Sequence, residues 1–256
     1  MSGNVLVTIP ISHFCEKARW ALDRAGIDYD ERAHLQLIHR FAARRAGGGN
    51  TVPVLVCADG VLGESAEIVA FADAHAPAER RLYPTGPTEA ANIRTLEHDF
   101  DERLGPEARL WMYYQLRDRR DLAIDYGCTG VPDWERRMLP LLYPLVIKAI
   151  NRFLDITPAT AKRAEAVVRS TFDAVGERLT DGRPYLCGDR FTAADLTFSA
   201  LAAAVLMPPG YGVPLPQPDV LPAPAAAVVR ELREHPAGAH ALAMFRDERR
   251  RAPAFV

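Results

Sequence analysis

The chain has 256 residues and a formal net charge of −2, from 31 basic and 33 acidic side chains. Apolar residues make up 48% and charged residues 25%, which excludes a disordered or collagen-like protein and predicts an ordinary globular one. The near-neutral charge balance creates no overall field that would attract nucleic acid or an anionic membrane, so we expect neither as a partner.

The apolar segments are too short to span a lipid bilayer. The longest candidate, Phe198 to Pro209, is rich in alanine and falls short of the roughly 18 residues that a membrane helix needs. The first residues lack the basic region, the long apolar stretch and the cleavage site of a signal peptide. We therefore expect a cytoplasmic protein.

The four cysteines lie far apart, with no Cys-x-x-Cys pair and no metal-ligand spacing. In a reducing cytosol this pattern predicts neither a disulfide framework nor a zinc site. Three of them are interpreted as small buried residues, whereas Cys15 lies near the start of a predicted helix.

Strand and helix patterns alternate over the first eighty residues. The predicted elements are strands at 5–9 and 27–33, helices at 13–25 and 35–46, a hairpin of 52–57 with 61–62, and a helix at 66–74 capped by Ser65. The pair Asp59-Gly60 is typical of a hairpin turn. The order β-α-β-α-β-β-α predicts a mixed sheet, unlike that of a doubly wound nucleotide-binding domain.

After Pro84 the strand patterns disappear and helical patterns follow, at 88–104, 134–154, 158–179, 192–206 and 223–248. We therefore predict an α/β domain over 1–83, a linker over 84–90 and an all-helical domain over 91–256. The segment 206–224 holds seven of the twenty prolines, so it either covers a site or only connects helices. Residues 249–251, three arginines, are expected to form a solvated tail.

The segment Ser12 to Arg19 lies where the first strand meets the first helix. Such a junction is a common ligand site, because the helix N-terminus offers free N–H groups. Ser12 has two interpretations, as the helix N-cap or as a polar group of a site, and the local pattern alone favours the cap.

Three further motifs accompany this junction. Val52-Pro53 begins the third strand, and Glu64-Ser65 opens the third helix. Far downstream, Tyr185 to Leu196 precedes an alanine-rich helix and contains a capping-box pattern, Thr192-x-x-Asp195.

Together these motifs resemble the soluble glutathione S-transferase superfamily, in its bacterial, serine-type form. The resemblance spans residues 4 to about 206 and is weak over 105–180 and after 206. It implies a thioredoxin-like N-terminal domain with a mixed four-stranded sheet (βαβαββα), a helical C-terminal domain, a homodimer and a role in detoxification.

The implied activity is conjugation of the glutathione thiolate to an electrophilic, apolar small molecule, with glutathione as co-substrate and no metal. Ser12 would donate a hydrogen bond to the thiolate and so lower the pKa of the thiol. The resemblance also implies an electrophile pocket between the domains. The residues Trp111, Met112, Tyr113 and Tyr114 either line that pocket, pack in the core or form a dimer contact.

The resemblance assigns binding roles to the other motifs. The Val52-Pro53 bond would be cis, so that the backbone before Pro53 pairs with glutathione like an added strand. Ser65 would hold the γ-glutamyl carboxylate at a helix N-terminus and Glu64 its ammonium group. His39 and Asn50, with Arg44 and Arg45, are candidate contacts for the glycine end.

Two alternatives remain open. Cys15 would carry the chemistry in a thiol-dependent reductase or lyase, although Ser12-x-x-Cys15 excludes dithiol chemistry. His13 stands where relatives commonly have proline and could itself approach the thiol. The other alternative is a non-catalytic glutathione-binding module.

Overall fold

The structure is a computed structural model that describes residues 3–249. The strands are β1 (Val5–Thr8), β2 (Asp30–Ala33), β3 (Val54–Cys57) and β4 (Gly60–Leu62). The helices are α1 (His13–Ala25), α2 (Ile38–Arg45), α3 (Ser65–His75), α4 (Pro87–Asp99), α5 (Gly105–Leu116), α6 (Arg120–Gly127), α7 (Asp133–Phe153), α8 (Pro158–Arg178), α9 (Ala193–Leu206), α10 (Ala223–Glu234) and α11 (Pro236–Asp247). A π-helical turn, Phe100–Leu104, joins α4 to α5.

The four strands form one mixed sheet in the order β2-β1-β3-β4, as predicted. β1 runs parallel to β2 and antiparallel to β3, and β4 returns antiparallel to β3. Alternate residues face opposite sides of the sheet. Leu6 and Leu55 therefore join the main core with α1 and α3, while Val7 and Val54 pack on Ala43 of α2.

The helical part is built around α9, whose fourteen residues are all buried. Its start follows the predicted capping box. Asp195 Oδ2 accepts from the Thr192 N–H at 3.0 Å and from Thr192 Oγ1 at 2.8 Å. Because α9 also packs against α1, one continuous apolar core links the helical part to the sheet. The domain boundary near residue 84 stays a prediction.

Two helix predictions were wrong, one at an internal break and one at its start. The helix predicted over 223–248 is two helices, because His235 is extended (φ −62°, ψ 142°) and Pro236 starts α11. The helix predicted from residue 35 begins at Ile38, because Leu37 has a positive φ of 74°, which an α-helical residue does not adopt. The helices α5 and α6 lie in a stretch to which the sequence assigned no element.

The expectation of a solvated tail is wrong at Arg249. Its side chain is buried, with Nε 2.7 Å from Glu16 Oε1 and Nη1 2.7 Å from Asp23 Oδ2. The cause is a buried carboxylate on α1 that needs a cationic partner. The other two arginines of the predicted tail lie outside the described residues. Within residues 3–249, every helix is too short or too polar to cross a bilayer.

Candidate functional site

A cavity of about 740 Å³ lies between the α/β part and the helical part. Its walls come from the connections that follow β1 and β2, the segment before β3, α5 and the end of α7. The volume falls in the roughly 300–1,000 Å³ range of small-molecule sites. The cavity brings together five predicted site residues, which are Ser12, His13, His39, Asn50 and Val52.

Ser12 is the N-cap of α1. Its Oγ accepts a hydrogen bond from the Cys15 N–H at 3.4 Å. A serine hydroxyl has two acceptor lone pairs and one donor hydrogen, and the cap uses a single lone pair. The Ser12 side chain also makes a hydrogen bond with the Cys15 thiol, which acts to lower the pKa of that thiol, and the hydroxyl can rotate from the thiol toward a ligand in the cavity. The cap and a role as donor to a ligand are therefore compatible.

Cys15 is fully buried one turn into α1 and is not among the residues that line the cavity. Burial raises the pKa of its thiol above the ordinary value, and this effect exceeds the opposing influence of Arg19. The thiolate is the nucleophilic form of cysteine, so the surroundings of Cys15 disfavour nucleophilic chemistry.

His13 lines the cavity but is engaged in joining the two parts of the molecule. Its Nε2 lies 2.9 Å from the carbonyl oxygen of Gly105, the first residue of α5. Burial, with a smaller contribution from the charge of Arg109, lowers the pKa of His13 to about 3. The ring is thus neutral at pH 7, and because a carbonyl only accepts, Nε2 carries the hydrogen.

The Val52-Pro53 peptide bond is cis, as the resemblance implied. Val52 lines the cavity, whereas Pro53 is buried and does not. The backbone that precedes the cis bond is therefore at the cavity wall.

Glu64 and Ser65 do not line the cavity. The prediction that Ser65 caps α3 was wrong, since Glu64 is the N-cap and Ser65 is the first helical residue. The physical reason is Glu67, whose Oε2 accepts from the N–H groups of both Gly63 and Glu64 at 3.1 Å. This carboxylate holds the backbone ahead of the helix, so the helix begins one residue earlier than predicted.

Of the four candidate glycine-end contacts, His39 and Asn50 line the cavity, whereas Arg44 and Arg45 do not. Burial, followed by the charge of Arg40, lowers the pKa of His39 to about 4, so this ring is neutral at pH 7. Asn50 is exposed and its Oδ1 accepts from Arg44 Nε at 2.7 Å.

Sequence reasoning missed several polar residues of the cavity, namely Gln36, Arg40, Arg109 and Arg152. Gln36 Nε2 donates to the Tyr113 hydroxyl at 3.2 Å, which links the β2–α2 connection to α5. No local motif marks these residues, because they meet only through packing between distant elements.

Some residues of the aromatic cluster on α5 line the cavity and others pack in the core. Met112 and Tyr113 line the cavity, whereas Trp111 is buried in the core with its Nε1 3.3 Å from Glu165 Oε2. Tyr114 packs against the same core from a partly buried position.

A second cavity, about 70 Å³ and almost wholly apolar, lies beside the first. The two share five lining residues, which are Ile11, Gln36, Met112, Tyr113 and Ile150. The proline-rich segment forms one wall of the second cavity. It is held by the Tyr211 hydroxyl, which donates to the Ile11 carbonyl at 3.2 Å, and by the Gly212 N–H, which donates to Glu16 Oε2 at 3.1 Å.

The structure thus defines a protein of the thioredoxin-like class with an added helical part and a cavity where the two meet. Two family models match the chain, the N-terminal domain of glutathione S-transferases over residues 6–80 and their C-terminal domain over 158–230. The chain belongs to the glutathione S-transferase superfamily. Over residues 3–249, no group of three or more His, Cys, Asp or Glu side chains is placed to hold a metal ion.

Solved structures share this fold at low sequence identity. A glutathione S-transferase from Xanthobacter autotrophicus is 18% identical, with a TM-score of 0.57 over 95% of this chain and 93% of the other. A theta-class enzyme from Xanthomonas axonopodis, solved with glutathione bound, is 21% identical, with a TM-score of 0.56 over 99% and 100%. A glutathione-bound homologue from Sulfitobacter is 16% identical, with a TM-score of 0.52 over 93% and 96%. A comparison with curated protein sequences finds no significant match.

Proposed function

We propose that this protein is a glutathione transferase that joins the glutathione thiolate to an electrophilic carbon of an apolar small molecule. One observation carries the proposal: the Ser12 side chain and the backbone before the cis bond at Pro53 line the same cavity. The two solved structures of this fold with bound glutathione support the choice of thiol.

In the proposed mechanism the Ser12 hydroxyl donates to the glutathione sulfur and stabilises its ionised form, which lowers the pKa of the thiol. The thiol proton passes to solvent. The sulfur then forms a bond to the electrophilic carbon, and the leaving group departs with its electron pair. The N–H groups at the start of α1 add to the stabilisation of negative charge at this position.

Binding along the α/β part would use the Val52 backbone for the cysteinyl portion of glutathione and Glu64 with Ser65 for its γ-glutamyl end. Ser65 suits a carboxylate because the first turn of α3 has N–H groups without partners inside the helix. His39 and Asn50 are proposed for the glycine end, where a neutral histidine can donate one hydrogen bond.

The second cavity is proposed as the place for the apolar portion of the electrophile, because it adjoins the first and is lined by apolar side chains. We also propose a cytoplasmic homodimer, as the family resemblance implies. Light scattering should then give twice the chain mass of 28.3 kDa.

A calorimetric titration tests the central claim. Glutathione and S-methylglutathione, which lacks the thiol hydrogen, are titrated separately into the full chain. We expect both to bind, with glutathione binding alone releasing a proton as the thiol ionises. If neither ligand binds, the proposed function is wrong. If both bind but no electrophile is conjugated, the chain is a binding module instead.

A further inference from the structure

Arg109 of α5 lines the large cavity with an unusual environment for a cation. Its Nε is shielded from solvent and has no hydrogen-bond partner. Burial lowers the pKa of the guanidinium below its ordinary value, although arginine remains protonated at neutral pH. A shielded polar N–H without a partner is costly, and a bound anion that accepts from it would remove that cost.

No protein carboxylate meets this need. Over residues 3–249 no Asp or Glu pairs with Arg109, and none of the residues that line the cavity is acidic. Arg40 shares with Arg109 a shielded Nε that has no hydrogen-bond partner, but two other buried cations of this chain are paired with carboxylates. Lys17 lies 2.9 Å from Glu97 and 2.7 Å from Asp101, and Arg249 also contacts two carboxylates. The missing anion at Arg109 is therefore expected to come from a ligand.

The position of Arg109 indicates which ligand that is. Tyr113 follows it by four residues, so the two lie on one face of α5, one turn apart. Tyr113 and its neighbour Met112 line both cavities, and the charge of Arg109 contributes to the lowered pKa of His13, next to Ser12. Arg109 is thus close both to the turn that carries Ser12 and to the α5 residues that the two cavities share.

Glutathione has two carboxylates of its own, but another cation is better placed for its glycine end. Arg40 of α2 adjoins His39, the candidate for that end, on the α/β wall. Its guanidinium stacks on the Phe153 ring, 4.7 Å from the ring centroid. Arg109 is on α5, in the wall that the helical part forms.

We propose that Arg109 is a specificity-determining residue that selects electrophiles carrying a carboxylate or a similar anionic group beside an apolar ring. This inference rests on the proposed function. The anionic group would pair with the guanidinium, and the ring would extend toward the apolar cavity. The sulfur would then attack a ring carbon near Ser12.

The test compares a chloronitrobenzoate with the matching chloronitrobenzamide, in which a neutral amide replaces the carboxylate. In both, the sulfur forms a bond to the ring carbon and chloride leaves with the electron pair. Rates are measured for the wild type, Arg109→Gln, Arg109→Lys, Arg40→Gln and the exposed control Arg103→Gln. Because a charge-assisted hydrogen bond is lost, Arg109→Gln should lower kcat/KM for the benzoate about 10- to 100-fold and for the benzamide less than about 3-fold.

The benzoate-to-benzamide ratio separates selection from a structural effect, which would lower both rates alike. Arg109→Lys keeps the charge and should retain part of the preference, and this ratio decides the matter if Arg109→Gln fails to fold. An equal loss for both substrates in Arg109→Gln overturns the proposal, as does a ratio that changes only in Arg40→Gln. Turnover of the benzamide by the wild type supports the proposed function, independently of the results for the Arg109 variants. If the wild type binds no glutathione, both proposals are wrong.

Discussion

His13 donates a hydrogen bond from Nε2 to the carbonyl oxygen of Gly105 across 2.9 Å, joining the first residue of α1 to the first residue of α5. The bond places the turn that carries Ser12 directly against the helix that carries Arg109 and Tyr113. Both walls of the cavity therefore depend on a contact between residues that are 92 positions apart.

The burial of His13, together with the nearby charge of Arg109, makes the stability of the fold sensitive to pH, whereas the bond to Gly105 opposes this effect. The pKa of His13 is about 3 in the folded protein and about 6.5 when unfolded, so protonation favours unfolding. The stabilisation is complete above pH 6.5 and is lost as the pH falls toward 3. His13→Gln keeps a donor for Gly105 but cannot titrate. When the pH is lowered from 7 to 5, the free energy of unfolding of the wild type should fall by about 2 kcal/mol more than that of this variant, as measured by urea unfolding. Equal losses would contradict the assignment.

The proposed donor is tested by Ser12→Gly. At an N-cap this substitution costs only a few tenths of a kcal/mol, so the fold is kept while the hydroxyl is removed. We expect kcat/KM to fall about 10- to 100-fold and the pKa of bound glutathione to rise by about 1–2 units, measured from the ultraviolet absorbance of the thiolate. Cys15→Ser is the matched comparison and should keep its activity. The reverse pattern would favour the cysteine.

Gly105 has no room for a side chain. A Cβ at this position would lie 3.0 Å from Phe14 Cε2, with other ring atoms also in close contact. Gly105→Ala should therefore lower the free energy of unfolding by about 1–3 kcal/mol, measured by thermal or urea unfolding. Gly127→Ala is the control, since nothing lies within 4 Å of a Cβ at that helical position. Adding Phe14→Leu to Gly105→Ala should restore part of the loss.

The wall formed by the proline-rich segment is tested by Tyr211→Phe, which removes the bond to the Ile11 carbonyl. A lost neutral hydrogen bond is worth about 1 kcal/mol, so KM for a neutral apolar electrophile should rise about 5-fold. The affinity for glutathione, measured by calorimetry, should not change. Tyr185→Phe also loses a hydroxyl bond, to Glu248 at 2.8 Å, but lies away from both cavities and should leave KM unchanged.

Arg249→Met should be strongly destabilising, by about 3–5 kcal/mol, because it leaves the fully buried Glu16 without its strongest cationic partner. The control is Arg246→Met, whose exposed pair with Asp247 is worth less than about 1 kcal/mol. Similar unfolding midpoints for the two variants would show that the buried pair contributes little.

The α/β part could be predicted because its signals are local. Ser12 marks the start of a helix and Asp59-Gly60 marks a hairpin turn, each through residues next to it in the sequence. Val52-Pro53 is recognisable from its position between a glycine-rich loop and a hairpin. The capping box at Thr192 is equally self-contained, since both partners lie within four residues.

The rest depends on long-range packing. The hydrogen bond between Gln36 and Tyr113 joins residues that are 77 positions apart, and the hydrophobic periodicity of the sequence cannot predict such a contact. Arg109 lies in an ordinary helical pattern, and only the tertiary structure shows that its Nε is shielded and has no hydrogen-bond partner. The break at His235 was missed because the apolar spacing continues across it, although Pro236 was a visible signal.

The pairing of Glu16 with Arg249 also bears on how the chain folds during synthesis on the ribosome. The two residues are 233 positions apart, so at 5–20 residues per second the arginine emerges roughly 10–50 s after the glutamate. During that interval α1 cannot bury Glu16 in its final environment. The nascent α/β part therefore completes its packing only after α11 and Arg249 have been synthesised, so the two parts complete their folding together.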